Sequence, residues 1–322
     1  MDYTDTAEQA ALREVVRDFC QRHAGPSAWP RLTSELGLAG LAIDESHGGM
    51  GATLAEVAIA VEELGRVLLP VPYLSTALAG AVLSVAPADA DLLPELASGK
   101  LTAAFAFGDS VTVTDGHLDG VVTHVLDGAE AGVFLVSAGG SLHAVRAADT
   151  SVTPADTLDL TRSQASVEFR RSRAVDTGAD PGHAEDLLRV LLAAESAAAA
   201  GYCLEVTVGY LKTRRQFSRP IGTFQALRHR CADLTVEVSS ARATACAALA
   251  ADDVSVLGPL AKKYCADVFW HVAAEMIQLH GGIGFTWEHQ AHRYLKRAKT
   301  TQLLHGSPAQ LRRMVADRAG LV

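Results

Sequence analysis

Three arginines lie close together between residues 213 and 225, in the stretch TRRQFSRPIGTFQ. They are Arg214, Arg215 and Arg219. Their density is unusual because the whole chain carries a formal net charge of -9. The stretch follows a long apolar run, and its Pro-Ile-Gly-Thr segment predicts a turn into a second helix. Arginine forks and helix N-termini both favour anions, so a phosphate-bearing ligand would fit here. A solvated helix end that complements the helix dipole is the simpler interpretation, and these residues alone favour it.

A glycine-rich run, QLHGGIGF, occupies residues 278–285 and follows another apolar run. Its glycine pair, Gly281 and Gly282, would let another backbone or a flat polar ligand come close. A single glycine-rich loop is a weak sign of a binding site. The two stretches together, at this separation, form a more specific pattern.

That pattern resembles the C-terminal helical domain of the flavin-dependent acyl-CoA dehydrogenases. The family has R-x-x-F-G-x-x-[IL], then Gln-Ala after a short turn, and later Q-x-x-G-G-x-G-F. The run ELGLAGLAIDESHGGMGATLAEVAIAVEELGR resembles the family's N-terminal helical domain, and LDLTRSQASVEF resembles the end of its middle β-domain. The resemblance therefore covers nearly the whole chain.

The resemblance implies an α+β fold of the acyl-CoA dehydrogenase type. We expect an N-terminal helical domain at residues 1–104, a reduced middle β-domain at residues 105–185, and a C-terminal domain of the four-helix-bundle type at residues 186–322.

The resemblance also implies a cofactor site. In this family each FAD lies across a subunit interface, with its ring in one subunit and its ADP half held by the neighbour. Carried over to this chain, the ligands of the FAD diphosphate and adenosine are Arg214, Gln216, Phe217, Gln278, Gly281 and Gly282. Ser218 departs from the family, which usually has Gly after the Phe, and this puts the local turn in question.

Two motifs that line the flavin ring in catalytic members are missing from the sequence. Those members carry a Thr-Glu-Pro-Gly-x-Gly-Ser-Asp loop after the first strand and then a Trp-Ile-Thr strand. Here the chain passes from Phe107 through Gly108 and Asp109 into the next strand, and VVTHVLDG stands in place of the second motif. The flavin-ring side of the site is therefore expected to be lost.

The carboxylate base of the family is missing from both of its usual positions. The resemblance places His305 at one position and Leu188 at the other, and Glu195 follows Leu188 by about two helical turns. Glu195 could be a displaced base or a structural carboxylate paired at a subunit or domain boundary. His305 could be a base or a hydrogen-bonding loop residue. We assign catalysis to neither residue, and we predict no metal site.

These features together predict the short, non-catalytic subunit of a heteromeric acyl-CoA dehydrogenase, of the kind that acts on steroid-derived CoA thioesters. It would lend the ADP half-site for FAD to a larger catalytic subunit, with an acyl-CoA as substrate and an electron-transfer flavoprotein as acceptor. One alternative is a homodimeric dehydrogenase that uses Glu195 or His305. Others are a flavin-free structural homologue, or a protein that binds CoA esters for a different reaction.

Composition narrows the classes of partner. The chain has 322 residues, of which 49% are hydrophobic and 20% charged, as in an ordinary soluble globular protein. The negative net charge and the lack of a long basic run argue against nucleic acid. The five cysteines include no CxxC pair, which favours reduced core thiols and the cytoplasm. The acidic, amphipathic N-terminus does not resemble a signal peptide, and no stretch is expected to be long and apolar enough to span a bilayer.

The elements that must position the site follow from apolar periodicity. Residues 1–104 are predicted to be helical, with Asp5 as the cap of the first helix and Thr53 in a capping box with Glu56. Short strands follow, joined by tight turns at Asp115-Gly116 and Asp119-Gly120. The chain is predicted to be helical again from Asp186.

Overall fold

The computed structural model of the chain describes residues 5–86 and 90–321. Two compact units are present. The first, called the mixed unit, comprises residues 5–61 and 69–188, and the second, called the helical unit, comprises residues 62–68 and the chain from residue 189 onward. The α+β fold class, with helices before and after a small β-sheet region, is confirmed.

Five α-helices come first among the residues that the structure describes. They are α1 (Ala7–Arg22), α2 (Trp29–Leu36), α3 (Leu54–Arg66), α4 (Tyr73–Ser84) and α5 (Leu93–Ala97). The cap of α1 is Thr6 and not Asp5 as predicted, because Thr6 and Gln9 exchange two side-chain hydrogen bonds in a capping box. Asp5 instead forms an ion pair with Arg13, at 2.6 Å. The predicted pairing at the start of α3 is confirmed, since Thr53 N donates to Glu56 Oε2 at 2.9 Å.

In the described part of the mixed unit, eight strands form two four-stranded sheets. They are β1 (Ala103–Ala106), β2 (Val111–Thr114), β3 (His117–Leu126), β4 (Val133–Ala138), β5 (Ser141–Arg146), β6 (Ser151–Pro154), β7 (Gln164–Arg173) and β8 (Val175–Asp176). One sheet has the order β1-β4-β5-β8, with β1 parallel to β4, and the other has the antiparallel order β2-β3-β7-β6. Apolar side chains of both sheets form one core, in which Phe134 and Phe169 meet edge to face at 6.4 Å.

The two predicted turns have different outcomes. Asp115 and Gly116 both have positive φ and join the paired residues Thr114 and His117, so this hairpin is confirmed. Asp119-Gly120 is not a turn, because both residues lie inside β3. A Cβ at Gly120 would lie 2.2 Å from the carbonyl oxygen of Ser110. The glycine there serves a close approach of two strands, which the sequence pattern cannot distinguish from a turn.

Among the residues that the structure describes, the helical unit contains the C-terminal end of α3, most of a long helix and four further helices. The elements are α6 (Pro181–Thr213), β9 (Arg215–Gln216), β10 (Arg219–Pro220), α7 (Gln225–Leu249), α8 (Leu257–His280), α9 (Ala291–Leu303) and α10 (Pro308–Arg318). Helix α6 begins at Pro181, earlier than the predicted Asp186, since proline is well suited to the first turn of a helix. Helix α8 packs against α7, α9 and α10, and Cys265 and Met276 on it are fully buried.

Helix α6 corrects one prediction. By length and composition it could cross a membrane, so the expectation that no stretch has this property is wrong for α6. Its most apolar 18-residue window is 72% buried inside the protein, as in the core helix of a folded domain. All five cysteines are free thiols, as predicted, and Cys20, Cys203 and Cys265 are buried.

Candidate functional site

A cleft of about 450 Å³ opens in the helical unit, where the C-terminal ends of α6 and α8 meet the first turns of α7. Its volume lies within the usual range of small-molecule sites, roughly 300–1,000 Å³. The lining residues are Tyr210, Arg214, Gln216, Ile221, Leu227, Arg230, Gln278, Leu279, His280, Gly281, Gly282 and Ile283. The fold therefore brings together five of the six residues proposed as ligands, all but Phe217.

Phe217 lies outside the cleft because of the hairpin that contains it. Strands β9 and β10 pair Gln216 with Arg219, and the two residues between them, Phe217 and Ser218, have φ values of 50° and 64°. This is the two-residue turn in which both central residues take the left-handed conformation. Glycine suits this conformation best, so Ser218 adopts the turn at a cost of about 1 kcal/mol. The Phe217 side chain is 86% exposed, and its ring meets Phe224 edge to face at 5.9 Å.

The three arginines of the stretch have different surroundings. Arg215 donates to the carbonyl oxygen of Ser218 at 3.0 Å, and the Arg219 guanidinium lies 4.1 Å from the centre of the Phe224 ring. Arg214 lines the cleft, and its guanidinium has no hydrogen-bond or ion-pair partner among the residues that the structure describes. Arg214 is therefore the member of the three that is available to an anion in the cleft.

The floor of the cleft is the C-terminal end of α8. The helix ends at His280, and Gly281 turns the chain with a φ of 62°, a conformation that favours glycine. A Cβ at Gly281 or Gly282 would meet no atom within 4 Å, so side chains there would project into the open space of the cleft. The Gln278 side chain is exposed at the same end of the helix. The glycine pair thus leaves room for a ligand against the backbone.

His280 lines the cleft and was not selected from the sequence. Its ring stacks on Tyr210 at 4.5 Å and lies 4.4 Å from the ring of His289. Nδ1 lies 2.7 Å from the carbonyl oxygen of Met276, and since a carbonyl only accepts, Nδ1 carries the hydrogen. Burial lowers the pKa of His280, so the ring is neutral at pH 7 and the positive charge of the cleft comes from its arginines.

Arg230 is the second arginine of the cleft, and the sequence analysis did not select it either. It lies three residues after Leu227 on α7, so both residues face the same side of the helix. Arg230 Nη2 donates to Glu275 Oε1 of α8 at 2.6 Å. Its place in the cleft depends on how α7 packs against α8, and no motif in the sequence indicates this.

Neither candidate base is among the residues that line the cleft. Glu195 Oε1 accepts from Arg297 Nη1 at 2.9 Å, and the two side chains are 7% and 3% exposed. This buried ion pair supports the structural interpretation of Glu195, with a partner inside the helical unit. His305 lies in the turn after α9 with a φ of 52°, and its carbonyl oxygen accepts from Arg189 Nε at 3.1 Å. The other base position holds Leu188, an apolar residue that is fully buried.

Family models match two parts of the chain. The model described as "Acyl-CoA dehydrogenase, N-terminal domain" matches residues 6–100, and the one described as "Acyl-CoA dehydrogenase, C-terminal domain" matches residues 186–320. Acyl-CoA dehydrogenase IpdE2 of Mycobacterium tuberculosis is 39% identical to this chain over 98% of both proteins. The chain belongs to the acyl-CoA dehydrogenase family.

Other acyl-CoA dehydrogenases and solved structures are similar as well. FadE34 of Mycobacterium tuberculosis is 34% identical over 97% of this chain, but the match covers only 48% of FadE34. The ChsE4-ChsE5 complex from Mycobacterium tuberculosis has a chain that superposes with a TM-score of 0.89 at 26% identity, covering 100% of both chains. A variant of the Tcur3481-Tcur3483 steroid ACAD also reaches a TM-score of 0.89 at 26% identity, over 98% of both chains.

Proposed function

We propose that this chain is the short, non-catalytic subunit of a heteromeric acyl-CoA dehydrogenase. In this assembly its cleft holds the diphosphate and adenosine part of an FAD whose reactive ring lies in a larger partner subunit. The observation that carries the proposal is the cleft itself, which gathers Arg214, Gln216, Gln278 and the glycine pair at one site.

The residues of the cleft fit the anionic half of FAD. The Arg214 guanidinium supplies charge-assisted donors, and the open backbone at Gly281 and Gly282 supplies the space. Helix α7 begins beside the cleft with Phe224 as its N-cap, which makes no side-chain hydrogen bond, and its first turn holds no acidic residue. A helix start of this kind favours a negatively charged group. When bound, FAD would accept a hydrogen from the acyl-CoA as hydride.

The mixed unit supports assignment of the flavin ring to the partner. Only the four residues 107–110 connect β1 to β2, at the place of the longer flavin-ring loop of catalytic members. The segment VVTHVLDG runs through the second half of β3 and into the turn after it. This chain thus keeps the residues for the ADP half of FAD, which it would lend to the partner subunit. It lacks the motifs that would line a flavin ring of its own.

The catalytic base is likewise assigned to the partner. A base must be ionised, shielded and within reach of the proton it removes. Glu195 is engaged in a buried ion pair with Arg297, and Leu188 has no ionisable group. This chain would contribute binding and orientation to the enzyme, and the partner would hold the proton-transfer group.

Several observations support a protein partner. Three large aromatic side chains close to the two walls of the cleft are almost fully exposed, and exposed apolar surface marks interaction sites. They are Phe217, Phe285 and Trp287. The similar ChsE4-ChsE5 structure is named as a complex, and FadE34 carries about as much further chain as the part that matches here.

The name of one similar structure supports a proposal for the substrate class. The Tcur3481-Tcur3483 enzyme is named a steroid ACAD, so a CoA thioester of a steroid-derived acid is the proposed substrate. An electron-transfer flavoprotein is the proposed acceptor, and the cytoplasm is the proposed location.

The test is flavin occupancy with and without the partner. We expect the isolated chain to be colourless or poorly soluble, and to become yellow only when co-expressed with a larger homologous dehydrogenase subunit. Absorbance in the flavin band after purification measures this directly. Full, stable flavin occupancy in the isolated chain would contradict the partner model and favour a homodimeric enzyme. A colourless complex would favour a flavin-free structural homologue.

A further inference from the structure

The wall of the cleft that α7 forms carries an arginine outside the two family motifs. Arg230 lies in the second turn of α7, and 43% of its side chain is exposed. Its neighbour Arg228 is also exposed but does not line the cleft. Of these two arginines, only Arg230 faces the space between α7 and α8.

Glu275 holds one edge of the Arg230 guanidinium. Arg230 Nη2 donates to Glu275 Oε1 at 2.6 Å. The second oxygen, Glu275 Oε2, is buried and accepts no hydrogen bond from the residues that the structure describes. A guanidinium has five N–H donors in a fixed plane, so one edge can remain on the carboxylate while the others contact a ligand. The ion pair therefore limits where the remaining donors can point.

The charge of the cleft suits a ligand with more than one negative charge. Its lining includes two guanidiniums, Arg214 and Arg230, and contains no carboxylate. The surrounding chain has the same sign, since residues 189–322 contain 17 Lys and Arg against 10 Asp and Glu, although the whole protein is acidic. A diphosphate offers one phosphate to Arg214 and a second to the donors of Arg230 that Glu275 does not hold.

We propose that Arg230 is a second anion-binding residue, which contacts the second phosphate of a diphosphate ligand that Arg214 also holds. This inference rests on the proposed function, since it assigns a further contact to the same adenosine diphosphate group. It adds a residue from α7 to ligands that otherwise come from the β9–β10 hairpin and the end of α8.

The experiment is a calorimetric titration of ADP and of AMP into the full-length chain. Arg230→Ala is expected to weaken ADP binding by about 10- to 100-fold, as for a hydrogen bond between charged groups. Arg230→Lys should recover part of the affinity, because a point charge replaces a planar fork. AMP affinity should change little in Arg230→Ala, so the preference for ADP over AMP should fall. Arg228→Ala, on the same helix, is the matched control and should stay within about twofold of the unsubstituted chain.

Arg214→Ala separates failure of this inference from failure of the proposed function. If Arg214→Ala loses ADP affinity while Arg230→Ala keeps it, the role of Arg230 is wrong and the cofactor half-site stands. An equal loss of ADP and AMP affinity in Arg230→Ala would also overturn the assignment to the second phosphate. If the unsubstituted chain binds no ADP at millimolar concentration, or if neither arginine matters, the inference fails, and flavin occupancy of the co-expressed complex then tests the proposed function separately.

Discussion

At the scale of single residues, the helical unit holds several charged side chains away from solvent. They include Arg189, Glu195, Lys262 and Arg297. Buried charges are retained only with partners, and each of these side chains has one. Arg297 pairs with Glu195, while Arg189 and Lys262 donate to backbone carbonyls in the last turn of α9 and in the turn that follows it. These side chains stabilise the unit and fix a turn, which separates them from the arginines of the cleft.

Substitution of Glu195 tests whether this residue is a structural carboxylate or a catalytic base. Glu195→Gln removes the charge opposite Arg297 and should destabilise the fold, up to the ~3–5 kcal/mol typical of a broken buried pair. Turnover of the assembled enzyme should remain within about tenfold, whereas loss of a general base costs at least ~10²-fold. The measurements are chemical denaturation and acyl-CoA turnover with an external electron acceptor. His305→Ala, in the same assays, should also keep most of the activity.

A loss of turnover of 10²-fold or more at either residue, with stability unchanged, would assign the base to this chain. It would also favour the homodimeric alternative.

Lys262 provides a second test at this scale. Its side chain is 1% exposed, and Nζ donates to the carbonyl oxygens of Gln302 at 3.1 Å and Gly306 at 2.7 Å. Lys262→Met removes these donors, and the free energy of unfolding should fall by about 2–4 kcal/mol. The adjacent Lys263→Met is the control, since Lys263 is partly exposed in an i,i+4 pair with Asp267 and should cost about 0.5 kcal/mol or less.

Chemical denaturation of both variants compares the two lysines directly. Equal effects would mean that the buried hydrogen bonds contribute no more to stability than a surface pair.

At the scale of elements, the sequence predicted long periodic segments better than their ends. The helices from α6 to α8 follow from sustained apolar runs. The cap of α1 at Thr6 depends on individual side-chain hydrogen bonds, and the early start of α6 depends on Pro181. Apolar periodicity predicts neither of them. Strand β6 (Ser151–Pro154) is short, mostly polar and exposed, and ends in proline as an edge strand can, so apolar alternation does not predict it.

The cleft shows the same division between what sequence can and cannot predict. Arg214, Gln278 and the glycine pair could be selected because their types and spacing match a family pattern. Arg230 and His280 could not be selected as ligands, because their place in the cleft depends on how α7 and α8 pack. Phe217 matches the pattern, yet its side chain points outward because of the positive φ values in the β9–β10 turn.

At the scale of the whole molecule, acidic and basic residues are concentrated in different parts of the chain. Residues 1–188 contain 27 Asp and Glu against 11 Lys and Arg, whereas residues 189–322 have an excess of Lys and Arg. The basic region includes the cleft and the exposed aromatic residues beside it. Such a surface suits an anionic cofactor and a partner with an apolar, acidic face. The proposed heteromer therefore requires that Arg214 binds a cofactor whose site another chain completes.

Titration of FAD into the flavin-free complex with the partner tests this claim most directly, at low and at moderate salt. Arg214→Ala is predicted to weaken FAD binding by roughly 1.5–3 kcal/mol at both salt concentrations, as for a hydrogen bond to a charged group. Arg214→Lys should recover only part of this loss. A surface cation that complements a helix dipole would change FAD affinity by no more than ~1 kcal/mol, and salt would screen the effect. Unchanged FAD affinity in Arg214→Ala would contradict the account and remove the assignment of the cleft to the cofactor.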